Sequence, residues 1–271
     1  MYMKKRALLL ILAIVALVGG CVSTTNQSSS PADKTPKVGV TAGPHAQIMA
    51  VVQQVAEKDG LKIQIVEFAD YIQPNVALSK GDIDLNSFQH QPYLEHVIAD
   101  RKYDLIPLAK TVLFPMGVYS QKVRSLTELK VGATIAIPDD PTNGGRSLLL
   151  LEKAGLIKLK RGTGLKASVR DIAENPRKIT LKELDASRIT RHLPDVDAAV
   201  INSNFAMQAG FVPVTSAIFL EDAHSPYANI IAIRAKDKDH PAYQKFLKSY
   251  HSDEVKAYVQ DHFKGSVITT W

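Results

Sequence analysis

Apolar positions along the chain follow two periods in turn, one of two residues and one near three and a half. "KVGVTAG" (37–43) reads as a buried strand ending in a glycine-bearing turn. "PHAQIMAVVQQVAEKDG" follows, with Ile48, Val51, Val52 and Val55 at helical spacing and Gly60 as a stop. "LKIQIVEFA" alternates as a strand does, and "QPNVALSKG" is a short helix with Pro74 near its first turn and Gly81 past its end. "DIDLNSF" is a strand, "QPYLEHVIADRK" a helix and "YDLIPLAK" a strand. The pattern restarts at "LKVGATIAIPDD", a strand that opens into the helix "PTNGGRSLLLLEKAGL". After it come "KITLKEL", "VDAAVINS", the helical "NFAMQAG", the strand "ANIIAIRA" and two terminal helices around "HPAYQKFLKSY" and "EVKAYVQDHF".

Strands alternating with helices predict an α/β fold, with a mostly parallel sheet and helices on its faces. Two such cycles, each opening strand, glycine turn, helix, predict two similar lobes rather than one continuous sheet. No repeat is visible residue by residue. The stretches "FPMGVYSQ" (114–121) and "HSPYANII" (224–231) are extended and carry Pro and aromatic residues, as paired hinge strands between lobes would. The C-terminal helices would then return to the first lobe.

The amino terminus belongs to none of this. "MYMKKR" is a positive leader and "ALLLILAIVALV" an apolar run too short for a comfortable membrane span. "VGGC" follows, ending at Cys21, the only cysteine of the chain. A signal segment closing on a lone cysteine behind two glycines resembles a bacterial lipoprotein processing site, which implies cleavage before Cys21 and acylation of its thiol and new amino group. "VSTTNQSSSPADKTPK" (22–37) is too polar to bury a core and reads as a tether. About fifteen such residues span roughly 20 Å root-mean-square.

Composition narrows the function classes. Of 271 residues, 45% are hydrophobic and 22% charged, which suits a globular body able to bury a core. One cysteine excludes an intrachain disulfide framework and a thiolate zinc cluster. Loss of Lys4, Lys5 and Arg6 with the leader takes the formal charge of +6 down by three, to +3. That is weak positivity over a large surface and no nucleic-acid footprint.

"DDPTNGGRSLLLL" (139–151) gathers candidate chemistry at one helix start. Pro141 with Thr142 or Asn143 would open the helix, whose first N–H groups and dipole attract an anion. Gly144 and Gly145 would allow close approach, and Arg146 offers a planar fork for a carboxylate or phosphate. A well-capped helix with a surface arginine fits the same letters. No GxxxxGK[ST] stands here, so a nucleotide P-loop is not supported.

A second cluster, Tyr71, Phe88, His90 and Tyr93, falls at strand ends and helix starts, where doubly wound folds place ligands. These rings form either a slot for an apolar side chain or part of the core. His90, Glu95 and His96 match no zincin spacing and Pro92 interrupts them, so no metal site is expected. Asn202 ends the apolar run "AAVI" and Asn229 sits within "SPYANII". Each amide must find partners, from local backbone or from a ligand's ammonium or carboxylate. No nucleophile–base constellation and no G-x-S-x-G elbow appears, so an enzyme is not expected.

"FADYIQPNVALSKGDIDLNSFQHQPYLE", "IPDDPTNGGRSLLLLEKAGLIKLK", "AVIN" and "EDAHSPYAN" together resemble the methionine-binding lipoproteins of the NlpA/MetQ family, from about residue 37 to the C-terminus. The resemblance implies a two-lobed, hinge-connected, periplasmic-binding-protein-like fold of type II. Residues 1–20 would be the signal peptide, 21–36 the acylated cysteine and tether, 37–117 with 229–271 one lobe, and 118–228 the other. It implies that Tyr71, Phe88 and His90 line a side-chain slot, that Asn143 and Arg146 take the α-carboxylate, and that Asn202 and Asn229 fix the head group. The protein would be a lipid-anchored monomer on the extracytoplasmic face of a membrane, without a cofactor. It would hand methionine to an ABC permease driven by its ATPase subunit. Another apolar amino acid, a small peptide, or an extracytoplasmic hydrolase are the competing readings.

Overall fold

The computed structural model describes residues 35–271. The signal segment, Cys21 and all but the end of the tether lie outside the described residues. The first stretch runs β1 (Lys37–Thr41), α1 (Pro44–Lys58), β2 (Gln64–Phe68), α2 (Gln73–Lys80), β3 (Leu85–His90), α3 (Gln91–Arg101), β4 (Leu105–Lys110) and β5 (Val112–Leu113). Next come β6 (Gly117–Tyr119), β7 (Thr134–Pro138), α4 (Pro141–Lys153), β8 (Lys158–Leu159), β9 (Ile172–Glu174) and β10 (Thr180–Leu184). They are followed by α5 (Ile189–His192), β11 (Ala198–Ile201), α6 (Ser203–Gln208), α7 (Pro213–Ser216) and β12 (Phe219–Leu220). The chain closes with β13 (Asn229–Arg234), α8 (Pro241–Tyr250), α9 (Asp253–Phe263) and β14 (Ile268–Thr269).

Two five-stranded sheets result, ordered β2-β1-β3-β13-β4 and β10-β7-β11-β6-β12. The plan is the same twice: a parallel trio, then a crossing strand that pairs antiparallel on both sides. The sheets are therefore mixed, not mostly parallel as the strand–helix alternation predicted. Strand direction explains it. Asn229 opens β13 opposite His90, the last residue of β3, and Gly117 opens β6 opposite Ile201, the last residue of β11. Each crossing strand thus enters its sheet at the end where its neighbours finish, and must run against them.

Both faces of each sheet are covered at its central strands, which is why β11 and most of β13 read as continuous apolar runs. Along β13, Ile231 and Ile233 join the cluster under α1, α8 and α9, while Ile230 and Ala232 join Leu78 and Leu94 on the other face. Along β11, Ala198 and Val200 pack with Leu148 and Leu151 of α4, and Ala199 and Ile201 with Ile189 and Phe205. The C-terminal helices α8 and α9 lie on α1, against the first sheet.

The chain passes between sheets around 111–116 and 221–228. Thr111 N–H donates to the Asn229 carbonyl at 2.8 Å, and Glu221 N–H to the Met116 carbonyl at 2.9 Å. The crossings are pinned at their two ends and are not zipped into the paired hinge ribbon expected from their composition.

Gly43 shows what the first turn requires. It sits at φ 78°, a region that strains any residue with a Cβ, and a Cβ there would lie 2.6 Å from Gln208 Cγ. β3 begins at Leu85 rather than Asp82 and continues through His90. All six of its positions are buried, and the polar ones survive because Asn75, Asn86 and Gln89 hydrogen-bond one another at 2.7–3.0 Å.

Candidate ligand-binding site

β3 delivers His90 to the start of α3, and β7 delivers Asp140 to the start of α4. The two helix starts face each other. Asp140 caps α4: its carboxylate accepts from the N–H groups of Thr142 at 3.2 Å and Asn143 at 2.9 Å. The helix does open at Pro141 as expected, but Asp140, not Thr142 or Asn143, caps it, which corrects the expectation that free N–H groups there seat an anion. The protein's own carboxylate already sits there.

The two glycines of α4 serve packing. A Cβ on Gly144 would meet the Pro138 carbonyl oxygen at 2.9 Å, and one on Gly145 the Ala167 carbonyl oxygen at 2.9 Å. They let the helix lie against its own lobe's backbone, and neither lines the cavity described next.

Arg146 lies one turn further in, 3% exposed. Its Nε donates to Glu221 Oε1 at 3.0 Å, and its Nη2 to Glu221 Oε2 and to the Phe114 carbonyl at 2.9 Å. The guanidinium carbon stands 4.5 Å from the centre of the Tyr227 ring. Nη1 has no hydrogen-bond acceptor among the described residues.

A small cavity opens between the lobes. The seven residues to which the resemblance gave a ligand role, Tyr71, Phe88, His90, Asn143, Arg146, Asn202 and Asn229, all border it. Gln89, Tyr93, Phe114, Ser203 and Asn204 complete its wall. The Tyr71 ring lies tilted 5.8 Å from that of Phe88 and reaches across to Phe205, 4.8 Å away. Its hydroxyl donates to Asn204 Oδ1, and Tyr93 closes the edge 6.0 Å from Tyr71.

The polarity of the Asn143 and Asn202 amides follows from atoms that leave no choice. Tyr93 N–H donates to His90 Nδ1 at 3.1 Å, so the proton of neutral His90 is on Nε2, which donates to Asn143 Oδ1 at 3.2 Å. Asn143 Nδ2 donates to the Asp140 carboxylate at 2.9 Å, confirming that its Oδ1 faces His90. That Oδ1 also accepts from Asn202 Nδ2 at 2.8 Å. Asn202 Oδ1 is left buried with no partner, as is Asn204 Nδ2. Burial, with the Arg146 charge adding to it, brings His90 down to about 3 and keeps it neutral. Burial likewise holds the Tyr71 phenol well above its ordinary range.

Two features were not legible beforehand. Glu221, in "FLED", is separated from Arg146 by more than seventy residues, and nothing local marks it as the partner. Asn204 stands two residues past Asn202 in "INSNF", a repetition of amides at a strand–helix junction that would have pointed to it. Glu95 and His96 lie on α3 away from this cavity, and no group of three His, Cys, Asp or Glu side chains among the described residues is placed to hold a metal.

Two α/β lobes, crossed twice by the chain and enclosing a small polar–aromatic cavity, define a periplasmic-binding-protein-like receptor fold. Residues 37–271 match the NlpA lipoprotein family, and the chain belongs to that family. It is 46% identical over 267 residues to the D-methionine-binding lipoprotein MetQ of Yersinia pestis, covering 96% of this chain and 97% of that one. A solved nutrient-binding protein from Burkholderia cenocepacia, described as bound to methionine, superposes with a TM-score of 0.85 at 51% identity, over 88% of this chain and all of that one. An ABC transporter periplasmic substrate-binding protein from Coxiella burnetii superposes with a TM-score of 0.84 at 45% identity, over 87% of this chain and 100% of that one.

Proposed function

We propose that this protein captures methionine between its lobes and delivers it to an ABC import permease. The observation that carries the reading is the sorting of unpartnered polar atoms. Arg146 Nη1 is a donor left over from the Glu221 and Phe114 contacts, Asn202 Oδ1 is a buried acceptor, and a wall of rings stands beside them. A zwitterion satisfies both kinds at once. The site's own charges also call for one, because Glu221 already balances Arg146.

The α-carboxylate would lie against Arg146, and the ammonium against Asn202 and Asn229. Asn143 orients Asn202 rather than offering its own carbonyl, which is taken by His90 and Asn202. Each charge-assisted hydrogen bond to the head group contributes about 1.5–3 kcal/mol. The thioether side chain among Tyr71, Phe88 and Tyr93 adds about 2–4 kcal/mol by burial, with sulfur–aromatic contact worth up to ~1.5 more. The head group thus supplies most of the affinity and the rings choose among amino acids.

Residues of both lobes touch the ligand in this arrangement, so binding favours the closed pairing of lobes. The lobes expected as 37–117 with 229–271, and 118–228, shift by one residue, because Gly117 already opens β6 in the second sheet. The family is one of lipoproteins, which places the body outside the cytoplasm on a membrane anchor; the anchor itself is assigned to acylated Cys21. A permease with its ATPase subunit would receive the loaded form. Calorimetric titration of the purified protein with methionine tests the reading: a saturable single-site isotherm is expected. A thermal shift with a different amino acid or a dipeptide, and none with methionine, would overturn it.

A further inference from the structure

Outside the cavity wall, at the second position of α1, His45 is buried against Asn229 and Phe114. We infer that His45 is a positioning residue: it holds the Asn229 amide with its oxygen toward the ligand's ammonium group, and so lets the site distinguish ligands that carry that group from ligands that lack it. This rests on the functional reading just given.

The orientation is set by an atom of fixed polarity. The Phe88 carbonyl only accepts, so the Asn229 atom 3.1 Å from it is Nδ2. The same Nδ2 lies 2.9 Å from His45 Nε2, which must therefore be the unprotonated nitrogen. The ring proton is on Nδ1, where Thr41 Oγ1 accepts it at 2.8 Å. Both hydrogens of Nδ2 are thereby used. Oδ1, with no donor among the described residues, is the polar atom that Asn229 offers to the cavity it borders. Turning the amide over would set oxygen against the Phe88 carbonyl, losing that hydrogen bond and adding a repulsion, and would require the His45 ring to change tautomer.

The ring is held to this task. It is 4% exposed and lies 4.4 Å from the Phe114 ring, and burial keeps it neutral down to about pH 3. Without the Nε2 acceptor, Asn229 keeps only the Phe88 carbonyl, and its amide gains other orientations.

The test compares methionine with its deaminated analogue, in which hydrogen replaces the α-ammonium group, by calorimetry on the full protein. His45→Phe keeps a ring against Phe114 and removes Nε2. Methionine affinity is expected to fall about tenfold, the scale of one neutral hydrogen bond, and analogue affinity to change less than about twofold. His45→Gln returns an acceptor and recovers most of the loss. Equal weakening of both ligands, or no weakening of either, overturns the inference. Should His45→Phe melt before titration, Thr41→Val decides instead, with a smaller loss of the same selectivity expected and an unselective one overturning. A wild-type protein that gives no heat with methionine overturns the functional reading and this inference together; wild-type binding with an unselective variant overturns the inference alone.

Discussion

Arg146 and Glu221 form a two-pronged ion pair inside the protein, their side chains only 4% and 12% exposed. Glu221 Oε2 also accepts from Met116 N–H at 3.0 Å, and Arg146 Nη2 donates to the Phe114 carbonyl. One pair thus ties the start of α4 to both crossings between the lobes, at the point where a ligand carboxylate would arrive.

That double duty shapes the first prediction. Arg146→Ala would leave Glu221 buried without a counter-charge, at a cost of about 3–5 kcal/mol in stability. Arg146→Lys keeps the charge and loses the fork, and is the cleaner variant. Its methionine affinity is expected to drop at least thirtyfold, or about 2 kcal/mol. Calorimetry reads this directly, and wild-type affinity in the lysine variant would remove the arginine from carboxylate recognition.

Phe88 is 3% exposed and packs on Tyr71 and Tyr93. Phe88→Ala should destabilise the protein by about 3–5 kcal/mol through the cavity it leaves. It should also flatten selectivity, because the rings and not the head group sort side chains. A panel of apolar amino acids in thermal-shift assays would show methionine losing its lead; an unchanged ranking would assign Phe88 to the core alone.

Gly145 offers the opposite signature. A Cβ there meets the Ala167 carbonyl at 2.9 Å and the Leu165 carbonyl at 3.2 Å, and both are backbone atoms. Gly145→Ala is expected to cost about 1–3 kcal/mol in denaturant unfolding, with methionine affinity within threefold of wild type. Binding lost without loss of stability would put the glycine at the ligand after all.

Acid should weaken the fold before carboxylates titrate. His45 and His90 are lowered from 6.5 to about 3 by burial, with Arg146 contributing at His90. Below pH 6.5 the unfolded chain binds protons that the folded chain refuses, so stability falls as pH falls, through the window from about 6.5 to 3. Each histidine removes up to about 1.4 kcal/mol per pH unit, and the pair about 4 kcal/mol between pH 7 and pH 5. Urea unfolding at the two pH values measures this, and His45→Gln should remove about half of the dependence. Equal stability at both pH values would mean that these rings are solvated or already charged.

Much of the fold was readable because it depends on local rules. Ile48, Val52 and Val55 at helical spacing made α1, and Gly81, at φ 86°, ended α2 where its letter suggested. Strand direction was not readable, since Ile231 and Ile233 alternate with Ala232 equally well in either sense. At the site, the recognised motifs pointed to the seven residues that border one cavity. They misassigned the start of α4, where Asp140 outcompetes Thr142 because its carboxylate reaches two N–H groups and Asn143 Nδ2 together.

Taken alone, the chain of letters determined which segments become strands and helices, how many lobes they build and which family they belong to, since each of those depends on periodicity, turn residues and contiguous motifs. Only the tertiary structure decided that Glu221 balances Arg146, and that His90 and Asp140 orient Asn143 and through it Asn202. It alone decided that His45 and Phe88 turn Asn229. Hydrogen-bond polarity passes from atom to atom through space, between residues as much as 184 apart in sequence, and no pattern along one dimension carries it.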